Sequence, residues 1–166
     1  MSYLQNTLLD NEHIIYQEHM HWIVFVPSLL YFMVANLFYW HWIPVDFNAL
    51  IYGYTVMQWA GIVFACIALY QFIAAYIAYA TSEYGVTNKR VLMKIGLIQR
   101  YSLELFLNKI EAIKIDQSIL GRLLGYGTII VIGTGGSNDP FYYIRNPLEF
   151  RRQVQEQIDH DQHATP

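Results

Sequence analysis

The sequence predicts a membrane-anchored α+β protein, in which a two-helix transmembrane hairpin is followed by an antiparallel β-sandwich or barrel capped by a C-terminal α-helix. Three observations carry that reading. Two long stretches, 19–45 and 47–82, contain no Asp, Glu, Lys or Arg. After Ser82 unbroken hydrophobicity gives way to apolar and polar alternation punctuated by turn residues, the pattern of antiparallel strands. The chain then closes on a segment whose apolar residues recur at helical spacing. Composition agrees: of 166 residues, 55% are hydrophobic and only 14% charged, with a mean hydropathy of +0.24, whereas an ordinary soluble domain carries about 25% charge.

Charge divides the chain. Asp10, Glu12, Glu18 and Asp46 are the only charged residues before Glu83, and every Lys and Arg follows it. A net charge of −3 lacks the basic footprint of a nucleic-acid binder. Cys66 is the single cysteine and stands inside an apolar run, which excludes a disulfide scaffold and a thiolate metal site built by one chain.

Four segments are expected: a cytosolic N-terminal segment at 1–21, the hairpin at 22–82 with helices over about 22–43 and 50–81, a β domain at 83–158 and a flexible tail at 159–166. Each apolar stretch exceeds the roughly 20 residues that span a bilayer core. The acidic leader and the lack of a small-x-small cleavage site argue against a secretory signal at the first span. Residues 44–48 form the turn between spans, which puts both chain ends on one side. Lys89, Arg90, Lys94 and Arg100 follow the second span while the turn has no cation, so that side is the cytoplasm. His21, Trp22, Trp40 and Trp42 are the expected interfacial anchors. Gly61 with Ala65, and Ala74 with Ala78, have the small-xxx-small spacing that lets helices approach, within the hairpin or between copies. Gln58, Gln71 and Asn36 are the strongly polar groups of the spans, read as interhelical hydrogen-bonding groups before pore-lining ones.

The β domain is read as strands at 83–86, 89–95, 97–105, 110–117, 126–134 and 141–144. A helical turn at 118–124 is ended by Gly125, and residues 135–139 form a hairpin tip. Asn146 as cap, Pro147 in the first turn and Glu149 three residues after the cap open the final helix, and Phe150, Val154 and Ile158 form its buried stripe.

Candidate sites are few. Lys89, Arg90, Lys94 and Arg100 form a basic set that would meet an anionic leaflet. The sequence Gly133-Thr134-Gly135-Gly136-Ser137 has no following Lys-Ser/Thr and no helix, so it reads as a tip and not as a phosphate loop. His13, His19 and His21 lack the i, i+4 spacing of a helical metal pair. Glu104, Glu111 and Asp116 have no companion nucleophile and are expected to pair with Lys109, Lys114 and Arg122. No catalytic residue, cofactor or metal is expected.

The stretch EYGVTNKRVLMKIGLIQRYSLELFLNKIEAIKIDQSILGRLLGYGTIIVIGTGG, followed by YYIRNPLEFRRQV and preceded by NEHIIYQEHMHW, closely resembles the bacterial pleckstrin-homology-like (PH-like) family of membrane proteins, once catalogued as a domain of unknown function. The similarity runs from about residue 11 to 154. Its most specific pieces are Thr87-Asn88-Lys89-Arg90, Gln117-Ser118 and Gly125-Tyr126-Gly127-Thr128. The resemblance implies two transmembrane helices bearing a cytosolic PH-like β-domain in a bacterial cytoplasmic membrane, with no catalytic residues. The leading expectation is a noncatalytic, membrane-anchored interaction or scaffold module that recruits a protein partner or a second copy. An anionic-lipid sensor using Lys89, Arg90 and Lys94 is the alternative, and a small pore or transport accessory subunit lined by Gln58 and Gln71 is the third. Membrane lipids are expected partners and nucleic acid is not.

Overall fold

A computed structural model of the chain describes residues 3–40, 50–51, 53–96, 101–136 and 138–164. Two compact units emerge: an apolar unit, Trp22–Ile77, and a β unit assembled from Met1–His21 and Ala78–Pro166.

In the apolar unit a 3-10 turn at Trp22–Phe25 leads into α2, Val26–Tyr39, with Pro27 in the first turn where its missing N–H costs nothing. The second helix, α3, spans Val56–Thr81. It starts later than the expected residue 50, because β2 (Leu50–Ile51) and β3 (Tyr54–Thr55) form a minimal hairpin around Gly53, whose φ of +84° suits glycine. Thr55 and Gln58 then make a reciprocal capping box: the Thr55 N–H donates to Gln58 Oε1 at 2.9 Å and the Gln58 N–H to Thr55 Oγ1 at 3.3 Å. The run Trp22–Tyr39, 3-10 turn included, and α3 are each long and apolar enough to cross a membrane. At ~1.5 Å per residue, the 26 residues of α3 exceed a ~30 Å hydrocarbon core. They pack at Gly61, where a Cβ would stand 2.9 Å from the Tyr39 nitrogen and 3.0 Å from the Ala35 carbonyl oxygen. Phe38 stacks on Phe64 with centroids 5.5 Å apart. The expected turn at 44–48 lies outside the described residues.

The β unit contains α1 (Tyr3–Asn6), β1 (Ile14–His19), β4 (Glu83–Thr87), β5 (Arg90–Ile95), β6 (Tyr101–Phe106), β7 (Ile110–Asp116), α4 (Ile119–Leu124), β8 (Tyr126–Gly133), β9 (Asn138–Arg145) and α5 (Pro147–Ala164). All described pairings are antiparallel, in sheets of order β1-β4-β5-β6 and β7-β8-β9. Alternation is clearest in β8, where Gly127, Ile129, Val131 and Gly133 are buried and their neighbours less so. The core gathers Tyr84, Val86, Val91, Leu92, Met93, Ile129, Val131, Phe141 and Ile144 from both sheets, closed by Phe150 and Val154 of α5.

Two expected boundaries change. Residues 1–21 are not a separate segment: β1 pairs with β4 from Ile14 opposite Thr87 to His19 opposite Glu83. Leu4 is fully buried over Gly85, where a Cβ would meet its Cδ1 at 2.9 Å. The edge of β4 needs a ladder partner, and the Ile-Ile-Tyr run before the first apolar stretch supplies it. The tail expected from 159 is also helical as far as Ala164. Glu149 bonds to Arg152 and Gln153 within the first turns of α5, and the Asn146 side chain donates to Glu18 of β1 at 3.3 Å.

Candidate functional site

Chain direction gives the β unit two distinct ends. At the departure end, β1 finishes at His19 opposite Glu83, and only Ser82 separates Glu83 from the end of α3. β9 joins here: Met20 bridges Ile144, and the His21 N–H donates to the Tyr143 carbonyl at 2.6 Å. The far end carries the β4–β5 turn. It is tied to the second sheet through Leu107 N–H on Lys89 O at 3.1 Å and Thr134 N–H on Lys109 O at 3.0 Å. At ~3.3 Å per residue, the length of β4 puts these ends about 17 Å apart.

This geometry disperses the basic set. Lys94 stands opposite Glu83 at the departure end. Lys89 is at the far end, its Nζ donating to the Asp10 carbonyl at 2.7 Å. Arg90 is a correction: the expected surface cation is 5% exposed. Its Nε and Nη2 engage the two Glu12 oxygens at 2.9 Å each, Nη2 also reaches the Thr7 carbonyl at 2.7 Å, and Nη1 meets Glu104. A planar fork answered on every side by acceptors is the arrangement that makes a buried guanidinium tolerable. Arg100 lies outside the described residues.

The rest of the Thr87-Asn88-Lys89-Arg90 motif turns to the same N-terminal segment. The Thr87 hydroxyl donates to Glu12 at 2.7 Å and accepts the Arg90 N–H at 3.0 Å. Asn88 accepts from the His13 N–H and donates to the Asn11 carbonyl, each at 3.1 Å. All four residues therefore clasp residues 7–13. Burial pushes the Glu12 carboxyl up, but hydrogen bonds from Arg90, the Leu9 N–H and Thr87 outweigh it and hold the group below the ordinary carboxylate value. Sequence reasoning missed Glu12 as a partner of Arg90; the signal was one acid just before β1 and one TNKR turn, 78 residues apart. Glu104, expected to pair with one of the surface cations Lys109, Lys114 and Arg122, belongs to this clasp as well.

The second motif group builds α4. Ser118 caps it by accepting the Gly121 N–H at 3.0 Å, and Gly125 ends it at a φ of +77°. Gln117 donates to the Tyr126 carbonyl at 2.9 Å, and Gly127 leaves room for the Gln117 side chain, which a Cβ would approach to 2.7 Å.

Among the expected anchors, Trp22 and Trp40 are exposed at the two ends of the first apolar helix, and Trp42 lies outside the described residues. His21 is a second correction. It is buried against the β unit, its ring stacked on Tyr126 at 5.3 Å, because β1 carries it onto β9 before the chain leaves for α2. Burial, reinforced by the charge of Arg145 and opposed by a hydrogen bond to the Leu124 backbone, lowers its pKa.

The profile of a family described as Bacterial PH domain matches residues 24–158. No curated protein and no solved structure matches the chain. The matched range begins after β1, so the strand held by the clasp lies outside it.

Proposed function

The chain belongs to the bacterial PH domain family, and from that premise we propose a noncatalytic interaction module, anchored in the cytoplasmic membrane, that presents its β unit to a protein partner or a second copy. A PH-like domain is in general a noncatalytic interaction module. The observation that carries the anchored reading is the pair of apolar segments, Trp22–Tyr39 and Val56–Thr81, each long enough to cross a bilayer, and the pairing of β1 with β4 on either side of them bears on sidedness. Two neighbouring strands of one sheet share one side of any bilayer, so the helices between them cross it an even number of times. The concentration of Lys and Arg after residue 82 favours the cytoplasm as that side.

Confinement to a membrane layer raises the effective concentration of any partner held there, so modest contacts suffice. β6 and β7 end their sheets without a second ladder partner among the described residues, and unpaired strand edges accept an added strand. The lipid-sensing alternative has less support, since Arg90 is enclosed and Lys89 stands at the far end. For a pore, Gln58 is already engaged in capping α3.

The test is photo-crosslinking of the full chain in bacterial membranes from Ser102 of β6 and Ala112 of β7, followed by alkaline carbonate extraction. A discrete adduct in the carbonate-resistant pellet is expected. Release by carbonate would contradict the anchor, and a resistant protein with no adduct from either strand would contradict the docking role.

A further inference from the structure

α4 exposes what a soluble domain hides. Ile119 is 88% exposed, Leu123 80% and Leu120 61%, in a helix of six residues. The turn is built to hold them outward: Ser118 and Gly125 fix its two ends, and Gly121 is seated so tightly that a Cβ would stand 2.7 Å from the Tyr126 carbonyl oxygen. It occupies the departure end, where the His21 ring is hydrogen-bonded to the Leu124 backbone and stacked on Tyr126. His21 is bonded directly to Trp22, the first residue of the first apolar span. Exposed Arg122, within α4, and exposed Arg145, beside His21, supply cations at the same end.

We propose that α4 is a membrane-inserting turn: Ile119, Leu120 and Leu123 enter the interfacial layer of the bilayer, with Arg122 and Arg145 at the level of the lipid phosphates. The occupant follows from continuity and charge. The turn is within side-chain reach of the residue that precedes the span, and an apolar tip flanked by cations matches an anionic interface. Insertion fixes the orientation of the β unit on the membrane. The proposal rests on the anchored reading above.

The test uses the full chain with Cys66→Ser, reconstituted in phosphatidylglycerol-containing nanodiscs with and without a lipid-borne quencher. An environment-sensitive fluorophore is placed in turn at Leu69→Cys in α3, Leu123→Cys in α4 and Thr134→Cys at the far end. Quenching is expected at 69 and at 123, about twofold or more at the latter for a side chain in the interface, and none at 134. Quenching at 69 without 123 overturns the insertion and leaves the anchor intact, whereas no quenching at 69 overturns both. A blue-shifted emission at 123 that the lipid quencher does not touch assigns α4 to a protein contact and also overturns the proposal. In the Ile119→Ser, Leu123→Ser variant, whose changed side chains are exposed, a label at Leu120→Cys should lose its quenching while the label at 69 keeps it; unchanged quenching at 120 would contradict the role of these side chains.

Discussion

Arg90 shows how one side chain can be read correctly for charge and wrongly for role. Its guanidinium is enclosed with the Glu12 carboxylate, so removing one partner strands the other as a buried charge, a loss of roughly 3–5 kcal/mol. Arg90→Met is therefore expected to lower thermal stability sharply in detergent. Adding Glu12→Leu should recover most of the loss, because an apolar pair of similar volume is often no worse than an ion pair. A double variant as unstable as the single one would contradict the clasp. Lys89→Ala, which removes an exposed contact to a carbonyl, should stay within about 1 kcal/mol of the parent. The pH dependence has a definite sign. The Glu12 pKa is lower folded than unfolded, so its contribution is complete above the ordinary carboxylate value and is lost as pH falls through the depressed one. Glu12→Gln should flatten the acid limb of a stability–pH curve, and an unaltered limb would show that other carboxylates dominate it.

The elements obey local rules that the sequence displays, and their departures have local causes. Ser118, Gly125 and the alternation of β8 are readable one residue at a time, and the structure places α4 and β8 where those signals put them. The start of α3 was not readable from hydropathy, because the residues from Leu50 to Thr55 are as apolar as the helix; Gly53 and the Thr55–Gln58 box were the available signals. Ser118→Ala is expected to cost about 1 kcal/mol, seen as faster hydrogen exchange within α4. Gly61→Val should destabilise the apolar unit by roughly 1–3 kcal/mol, since its Cβ would press on the backbone of α2. Thermal unfolding in detergent that is insensitive to this change would contradict the close packing at Gly61.

At the scale of the whole molecule, the apolar helices are an insertion between two adjacent strands of one sheet. The two-part composition was legible from charge alone, but the return of residues 3–21 to the β unit was not. β1 is six residues long and its partners lie from 64 residues further on, His19 to Glu83, to 73 further on, Ile14 to Thr87, so no local periodicity could reveal the pairing. The clasp was equally hidden, although both of its sequences carry the family resemblance, because complementarity between Glu12 and Arg90 is a property of the fold and not of either segment. The central claim is that both flanks of the apolar pair lie on the cytoplasmic side. It is tested most directly by labelling His13→Cys and Gln155→Cys, each with Cys66→Ser, using a membrane-impermeant maleimide on spheroplasts before and after permeabilisation. The account expects both positions to react only after permeabilisation; reaction at either one in intact spheroplasts would contradict it.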